Sequence, residues 1–188
     1  MKKNIERTLI ESSEIIKNSV SLSDQIEKSI QIIINSLNNK KKIIIFGNGG
    51  SAADSQHIAA EMIGRFMLER KSIPAISLTT DSSILTSLSN DYSYDEVFSR
   101  QCESLVTSGD VVIGISTSGN SKNVENGLIT SRKMGAITIG LLGNDGGRIK
   151  NFVDISIVVN SSSTPRIQEA HRTIYHIICE HVEKSLKE

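Results

Sequence analysis

The sequence predicts an α/β fold, a five-stranded parallel sheet flanked by helices, with a helical extension at the N-terminus. Two observations carry this. Five short apolar runs rich in β-branched residues recur at Lys42–Phe46, Ile73–Leu78, Asp110–Ile115, Ala136–Leu141 and Asp154–Val159. Helical patterns separate most of them, which is the signature of parallel strands covered on both faces.

The elements follow in order. From Ile5 to Asn38 apolar residues recur at helical spacing, first Leu9, Ile10, Ile15, Ile16 and Val20, then Ile26, Ile30, Ile33, Ile34 and Leu37. Ser21-Leu22-Ser23-Asp24 between them predicts a break and a new cap. Residues 1–40 thus form a helical pair, apolar on one side, that packs on the α/β unit or on another subunit. After the first strand, Gly47–Ser51 is a turn and Ala52 to about Glu69 a helix. Thr79–Ser82 caps a short helix after the second strand, and Asp95–Thr107 is another helix. Ser116–Asn120 is a turn after the third strand, and Ser121–Met134 a helix. Gly143–Gly147 is a Gly-rich loop after the fourth. Thr164–Leu186 is a long terminal helix whose first turn tolerates Pro165. No linker interrupts the pattern, so residues 1–188 read as one domain.

Composition narrows the function classes. The chain has 188 residues, 38% hydrophobic and 22% charged, with zero formal net charge, which argues against a general nucleic-acid binder. Aromatics make up only 4% and Trp is absent, so stacking platforms for single strands are not expected. No apolar run approaches the roughly 18–20 residues that span a bilayer. The polar Met1–Arg7 start, with no apolar stretch after it, predicts no secretory leader and a cytoplasmic protein. Cys102 and Cys179 lack metal or redox spacing and read as buried free thiols.

Two strand-to-helix turns have unusual chemistry: Gly47-Asn48-Gly49-Gly50-Ser51 and Ser116-Thr117-Ser118-Gly119-Asn120-Ser121. Glycines let backbone approach a ligand closely, and N–H groups at a helix start favour an anion. The hydroxyls of Ser116, Thr117, Ser118 and Ser121 add hydrogen-bond donors without any Lys. Neither turn is a dinucleotide fingerprint or a P-loop, so an ATPase is a poor reading.

The first turn opens a helix carrying Asp54, His57 and Glu61. At about 100° per residue these three fall within about 60° of one another, on one face. His57 and Glu61, at i and i+4, can share a metal ion, although a surface His beside a Glu has the same spacing. The terminal helix carries Gln168, Glu169, His171, His176 and His181. His171 and His181 read as structural. His176, amid Ile174, Tyr175, Ile177 and Ile178, faces either the core or a site.

Four segments, GNGGSAADSQHIAAE, LSNDYSYDEVFSRQ, STSGNSKNV and RIQEAHRTIYHI, resemble the phosphoheptose isomerases of the sugar isomerase (SIS) fold, over nearly the whole chain from Ile5 to Leu186. The resemblance implies a flavodoxin-like three-layer sandwich that assembles as a homotetramer, with sites near subunit boundaries. It implies one Zn²⁺ per subunit on His57, Glu61, Gln168 and His176. Asn48, Gly49, Gly50, Ser51, Asn90 and Asp91, with Glu61 and Gln168, match substrate contacts. Ser116, Thr117, Ser118 and Ser121 match the phosphate cradle. Glu61 and His176 match the general base and acid, and Asp54 a supporting carboxylate.

The implied reaction interconverts sedoheptulose 7-phosphate and D-glycero-D-manno-heptose 7-phosphate through an enediol, for heptose and lipopolysaccharide biosynthesis. One geometric demand follows. Gln168 and His176 lie about 12 Å apart along one helix, so a shared zinc needs their side chains to converge or to come from different subunits. The alternative is a non-catalytic SIS protein that binds the replication initiator DnaA. That relative lacks counterparts of Glu61 and His176, which this chain keeps. An isomerase for another sugar phosphate would fit the fold and phosphate loop equally well, but the metal-site residues favour the heptose.

Overall fold

A computed structural model describes residues 1–186 of the protein. Five strands, β1 (Ile43–Gly47), β2 (Ala75–Ser77), β3 (Val111–Ser116), β4 (Ile137–Gly143) and β5 (Ile155–Val159), pair in parallel in the order β2-β1-β3-β4-β5. The helices are α1 (Lys2–Asn18), α2 (Ser23–Asn38), α3 (Gly50–Ile63), α4 (Ser82–Asp91), α5 (Ser99–Leu105), α6 (Lys122–Lys133) and α7 (Thr164–Ser185). The expected fold class is therefore present, N-terminal helices included.

Alternation along each strand divides the interior into two layers. Ile43 and Ile45 of β1, with Val111, Ile113 and Ile115 of β3, pack against α2, α3 and α7. Ile44, Phe46 and Val112 face the other way, against α5, α6 and the Val97-Phe98 segment. Carboxylates just outside the strands fix their register. Asp110 accepts from the Lys42 and Thr107 N–H groups and pairs with Lys42 Nζ at 2.6 Å, tying the start of β3 to that of β1. Asp154 accepts from Thr138 N–H and ties β5 to β4 in the same way.

Several boundaries differ from the sequence reading. Asp95–Thr107 is not one helix. Tyr94–Glu96 forms a 3-10 turn, buried Val97 and Phe98 follow, and α5 begins only at Ser99. The break at Ser21–Asp24 falls on a 3-10 turn, Ser19–Leu22. The second strand is shorter than its apolar run. Asp81 caps α4 as expected, accepting from Ile84 N–H at 2.9 Å.

The largest difference is α3, which stops at Ile63 rather than near Glu69. Its last carbonyls are taken by a side chain: Arg70 donates to the carbonyls of Glu61, Met62 and Gly64. Glu183 of α7 holds the same loop from the other side. It accepts the N–H groups of Phe66, Met67 and Leu68 at 2.7–2.8 Å, and its Oε1 lies 3.2 Å from Arg70 Nε. Burial raises the Glu183 carboxyl, but the three N–H donors and Arg70 outweigh it and hold it below the usual glutamate range.

Glu183→Gln leaves Arg70 as an uncompensated buried charge and should lower unfolding free energy by about 3 kcal/mol near neutral pH, read by urea denaturation at fixed protein concentration. Because the Glu183 pKa is depressed on folding, its stabilisation is present above the unfolded value of about 4.3 and is lost as pH falls through the folded value. The gap between wild type and variant should therefore narrow below about pH 4.

Candidate active site

The sheet order reverses between β1 and β3, and the helices that follow them lie on opposite faces, α3 in one layer and α6 in the other. Ligands of open α/β sheets bind in the crevice this leaves at the carboxyl ends of the strands. Both Gly/Ser turns meet there. Asn48 and Asn123 exchange reciprocal amide hydrogen bonds at 2.8 and 2.9 Å, joining the turn after β1 to the start of α6. Tyr94 O–H donates to Asn48 Oδ1 at 3.0 Å from the segment after α4.

The serine turn is a compact cluster of hydroxyls. Ser116 Oγ lies 3.0 Å from Ser121 Oγ and 3.4 Å from Ser118 Oγ, and Ser118 Oγ accepts from Asn120 N–H. Thr117 is anchored through its carbonyl, which accepts from Asn144 Nδ2. Gly119 has φ +65°, and a Cβ there would collide with the Gly146 carbonyl. The Gly-rich loop after β4 therefore buttresses the serine turn backbone against backbone.

In the first turn, Gly49 has φ +55° and open space where a side chain would be, so its backbone is presented to the crevice. Ser51 is buried, and its N–H donates to the Asn48 carbonyl. A Cβ on Gly50 would strike the Gln168 carboxamide. Gln168 thus lies over the turn that contacts the sugar in the sequence reading. Asn90 and Asp91 are exposed and hydrogen-bonded to each other at 2.9 Å.

α7 runs alongside α3 in the same direction. Gln168 lies over Gly50, Arg172 and Tyr175 over Asp54 and His57, and His176 beside His57. His57 Nε2 and Glu61 Oε1 are 2.9 Å apart, and the His57 and His176 rings meet edge to face with centroids 5.1 Å apart. His57, Glu61 and His176 therefore come together. Burial, with His57 beside it, holds His176 below the ordinary histidine range. His171 is the structural histidine expected: it is fully buried, shares a hydrogen bond with the Leu142 carbonyl, and is pushed by burial to about 4.

Behind the His57–Glu61 pair lies a network the sequence reading missed. Asp54, 1% exposed, accepts from Arg172 Nη2 at 2.9 Å and lies 3.2 Å from the Tyr175 hydroxyl. That hydroxyl is also 3.1 Å from His57 Nδ1 and accepts from Arg172 Nε at 3.2 Å. Burial, and then the Asp54 charge, push Tyr175 up to about 12, so the phenol keeps its proton. The signal available was helical: Gln168, Arg172, Tyr175 and His176 recur at spacings that share one face.

The donors suit zinc in kind, two imidazoles and a carboxylate. The short His57 Nε2···Glu61 contact is the one a shared metal would replace. Among the described residues, no three of the His, Cys, Asp and Glu side chains already stand as a metal-binding group.

Residues 10–143 match the SIS domain family model. A phosphoheptose isomerase of Geobacter sulfurreducens is 54% identical over 165 residues, covering 88% of this chain and 87% of the relative. The structure of the phosphoheptose isomerase GmhA from Neisseria gonorrhoeae superposes with a TM-score of 0.92 at 37% identity, over 97% of this chain and 98% of that one. One from Francisella tularensis gives 0.94 at 28% identity, over 97% of each chain. The chain belongs to the phosphoheptose isomerase family, within the SIS-domain proteins.

Proposed function

We propose that the protein interconverts sedoheptulose 7-phosphate and D-glycero-D-manno-heptose 7-phosphate, supplying heptose biosynthesis. The observation that carries the mechanism is the convergence of Glu61, His57 and His176 beside a hydroxyl-lined crevice. The aldose–ketose exchange moves one carbon-bound proton and one oxygen-bound proton. Glu61 removes a proton from C1 of the ketose and returns one to C2. As Glu61 takes the C1 proton, protonated His176 delivers a proton to the C2 oxygen, giving a neutral enediol; as Glu61 then gives its proton to C2, His176 takes the proton of the C1 hydroxyl, leaving the C1 aldehyde. Ser116, Thr117, Ser118 and Ser121, with the N-terminus of α6, hold the phosphate and so align the far end of the chain. Asn48, Gly49, Gly50 and Ser51, with Gln168 above them and Asn90 and Asp91 at the rim, bind the sugar. Asp54 supports His57 from behind.

In this reading one zinc ion per subunit is held by His57, Glu61 and His176, and when bound it polarises the carbonyl oxygen. Gln168 is the fourth donor, which requires its carboxamide to leave Gly50 or to come from a neighbouring subunit. The non-catalytic reading, a SIS protein that binds DnaA, finds no support, and Glu61 and His176 both stand at the site.

The active form is a homotetramer. Its support is an apolar groove of about 670 Å³ between α2 and α7, lined by Ile16, Val20, Ile30, Ile34 and Ile177, with Leu9 and Ile10 exposed on α1. Residues 1–40 thus serve assembly, and residues 1–188 act as one domain. No helix among the described residues is long and apolar enough to cross a membrane, which suits action in the cytoplasm on a precursor of lipopolysaccharide.

A coupled assay with sedoheptulose 7-phosphate tests the function: turnover is expected, and a chelator should suppress it. Glu61→Gln and His176→Gln should each lower kcat by about 10²–10⁴. Full activity in metal-stripped Glu61→Gln protein would sink the mechanism. Gly50→Ala, which displaces Gln168, should raise KM about tenfold, equivalent to about 1.4 kcal/mol of lost binding. Val20→Asp with Ile177→Asp should convert the tetramer to smaller species in light scattering. An unchanged mass would remove the groove from the interface.

A further inference from the structure

We propose that Tyr94 and Asn123 are positioning residues that lock the Asn48 carboxamide, so that it offers one N–H donor, and no acceptor, to an oxygen of the sugar. The inference rests on the isomerase reading above and extends it to two side chains that reading does not use.

A carboxamide can be turned end for end at little steric cost, so its orientation is fixed only by its partners. Here the chain of partners begins at the backbone. Val124 N–H, in the first turn of α6, has no intrahelical acceptor and donates to Asn123 Oδ1 at 2.9 Å. A backbone N–H can face only an oxygen, so Asn123 has one allowed orientation. Its Oδ1 then accepts from Asn48 Nδ2 at 2.8 Å, and its Nδ2 donates to Asn48 Oδ1 at 2.9 Å. A reversed Asn48 would set donor against donor and acceptor against acceptor. Tyr94 O–H, at 3.0 Å, fills the second lone pair of Asn48 Oδ1. Tyr94 is 54% exposed, so water would serve its hydroxyl as well, and the bond adds little to stability. Its effect is to occupy Asn48.

Tyr94 is itself held from elsewhere. Asn126 of α6 donates to the Asp95 carbonyl at 3.1 Å, and Val97 and Phe98 anchor the same segment in the core. With Oδ1 doubly occupied and one N–H spent on Asn123, Asn48 keeps a single uncommitted group, its second N–H. Asn123 is 3% exposed, whereas Asn48 is only partly buried and precedes the open Gly49 backbone. The accessible donor of the pair is therefore that of Asn48. It recognises an oxygen lone pair, on a hydroxyl or a carbonyl. An amino group at that position of the sugar would find no acceptor.

The lock is read first without substrate. In ¹⁵N-labelled protein the Asn48 side-chain signal, assigned by its loss in Asn48→Ala, should relax like rigid backbone, with an order parameter of about 0.85. Tyr94→Phe should lower it, and Asn123→Ala should take it below about 0.6. Its effect on the sugar is read second, in the coupled assay. Tyr94→Phe should raise the KM for sedoheptulose 7-phosphate about three- to tenfold, the worth of one neutral hydrogen bond, with kcat nearly unchanged. Inorganic phosphate, used as a competing ligand, should inhibit the variant and the wild type equally. In an Asn48→Ala background Tyr94→Phe should have no further effect, because it acts through Asn48. A mobile carboxamide in the wild type, an unchanged KM, an equal loss of phosphate inhibition, or the same rise in KM without Asn48 each overturns the proposal. A protein that does not turn over the heptose, yet holds Asn48 rigid until Tyr94 is changed, overturns the function and supports the lock.

Discussion

A carboxylate that is 1% exposed must find compensating charge or leave the fold. Asp54 finds it in Arg172, on a helix far along the chain, and the rest of the site depends on that meeting. Once Arg172 reaches Asp54, α7 has its rotation and its register against α3. Tyr175 then falls on His57, and His176 beside it, with Gln168 over the opening turn. The same alignment, continued three turns further, lays Glu183 over the loop that ends α3. One helix pair thus carries a sequence of polar contacts from the sugar end to the base of the domain. The apolar residues between them, Ile58, Ala59 and Met62 facing Ile174, Ile178 and Cys179, supply most of the adhesion. The hydrophobic contact is non-directional, and the polar ladder makes it specific.

The sheet contributes a different constraint. Parallel strands whose order reverses between β1 and β3 leave a crevice at their carboxyl ends, and the chain puts its two Gly/Ser turns there. The Asn48–Asn123 pair closes the gap between them. Hydroxyls rather than lysines cluster at the serine turn. In the proposed function, that favours a phosphate whose position must be exact over one whose charge must merely be balanced.

Much of this was legible in the sequence, for local reasons. Strands announce themselves by short β-branched runs. The clustering of Asp54, His57 and Glu61 follows from helix periodicity alone, and the two Gly/Ser turns from composition. What was not legible came from partners distant in the chain. The stop of α3 at Ile63 depends on Glu183, more than a hundred residues away, and on Arg70. Tyr175 and Arg172 read as neighbours of His176 on an amphipathic helix. Their meeting with Asp54 spans 121 and 118 residues, a distance over which periodicity carries no information. The split of Asp95–Thr107 had a similar cause: Val97 and Phe98 were needed in the core beneath Phe46, and a continuous helix would not have put them there.

The contact between Gly119 and Gly146 has an evolutionary side. Where two main chains touch, there is no side chain through which mutation can make a small adjustment. A side chain at Gly119 or at Gly147 would strike the main chain of the other loop, so neither can change without moving both. The serine turn is therefore frozen against gradual change. In the proposed reading, a change of sugar preference falls instead to the first turn, where Asn48 and Tyr94 meet through side chains that can be exchanged one at a time. A shared phosphate grip with divergent sugar preference is what such an asymmetry produces across a fold.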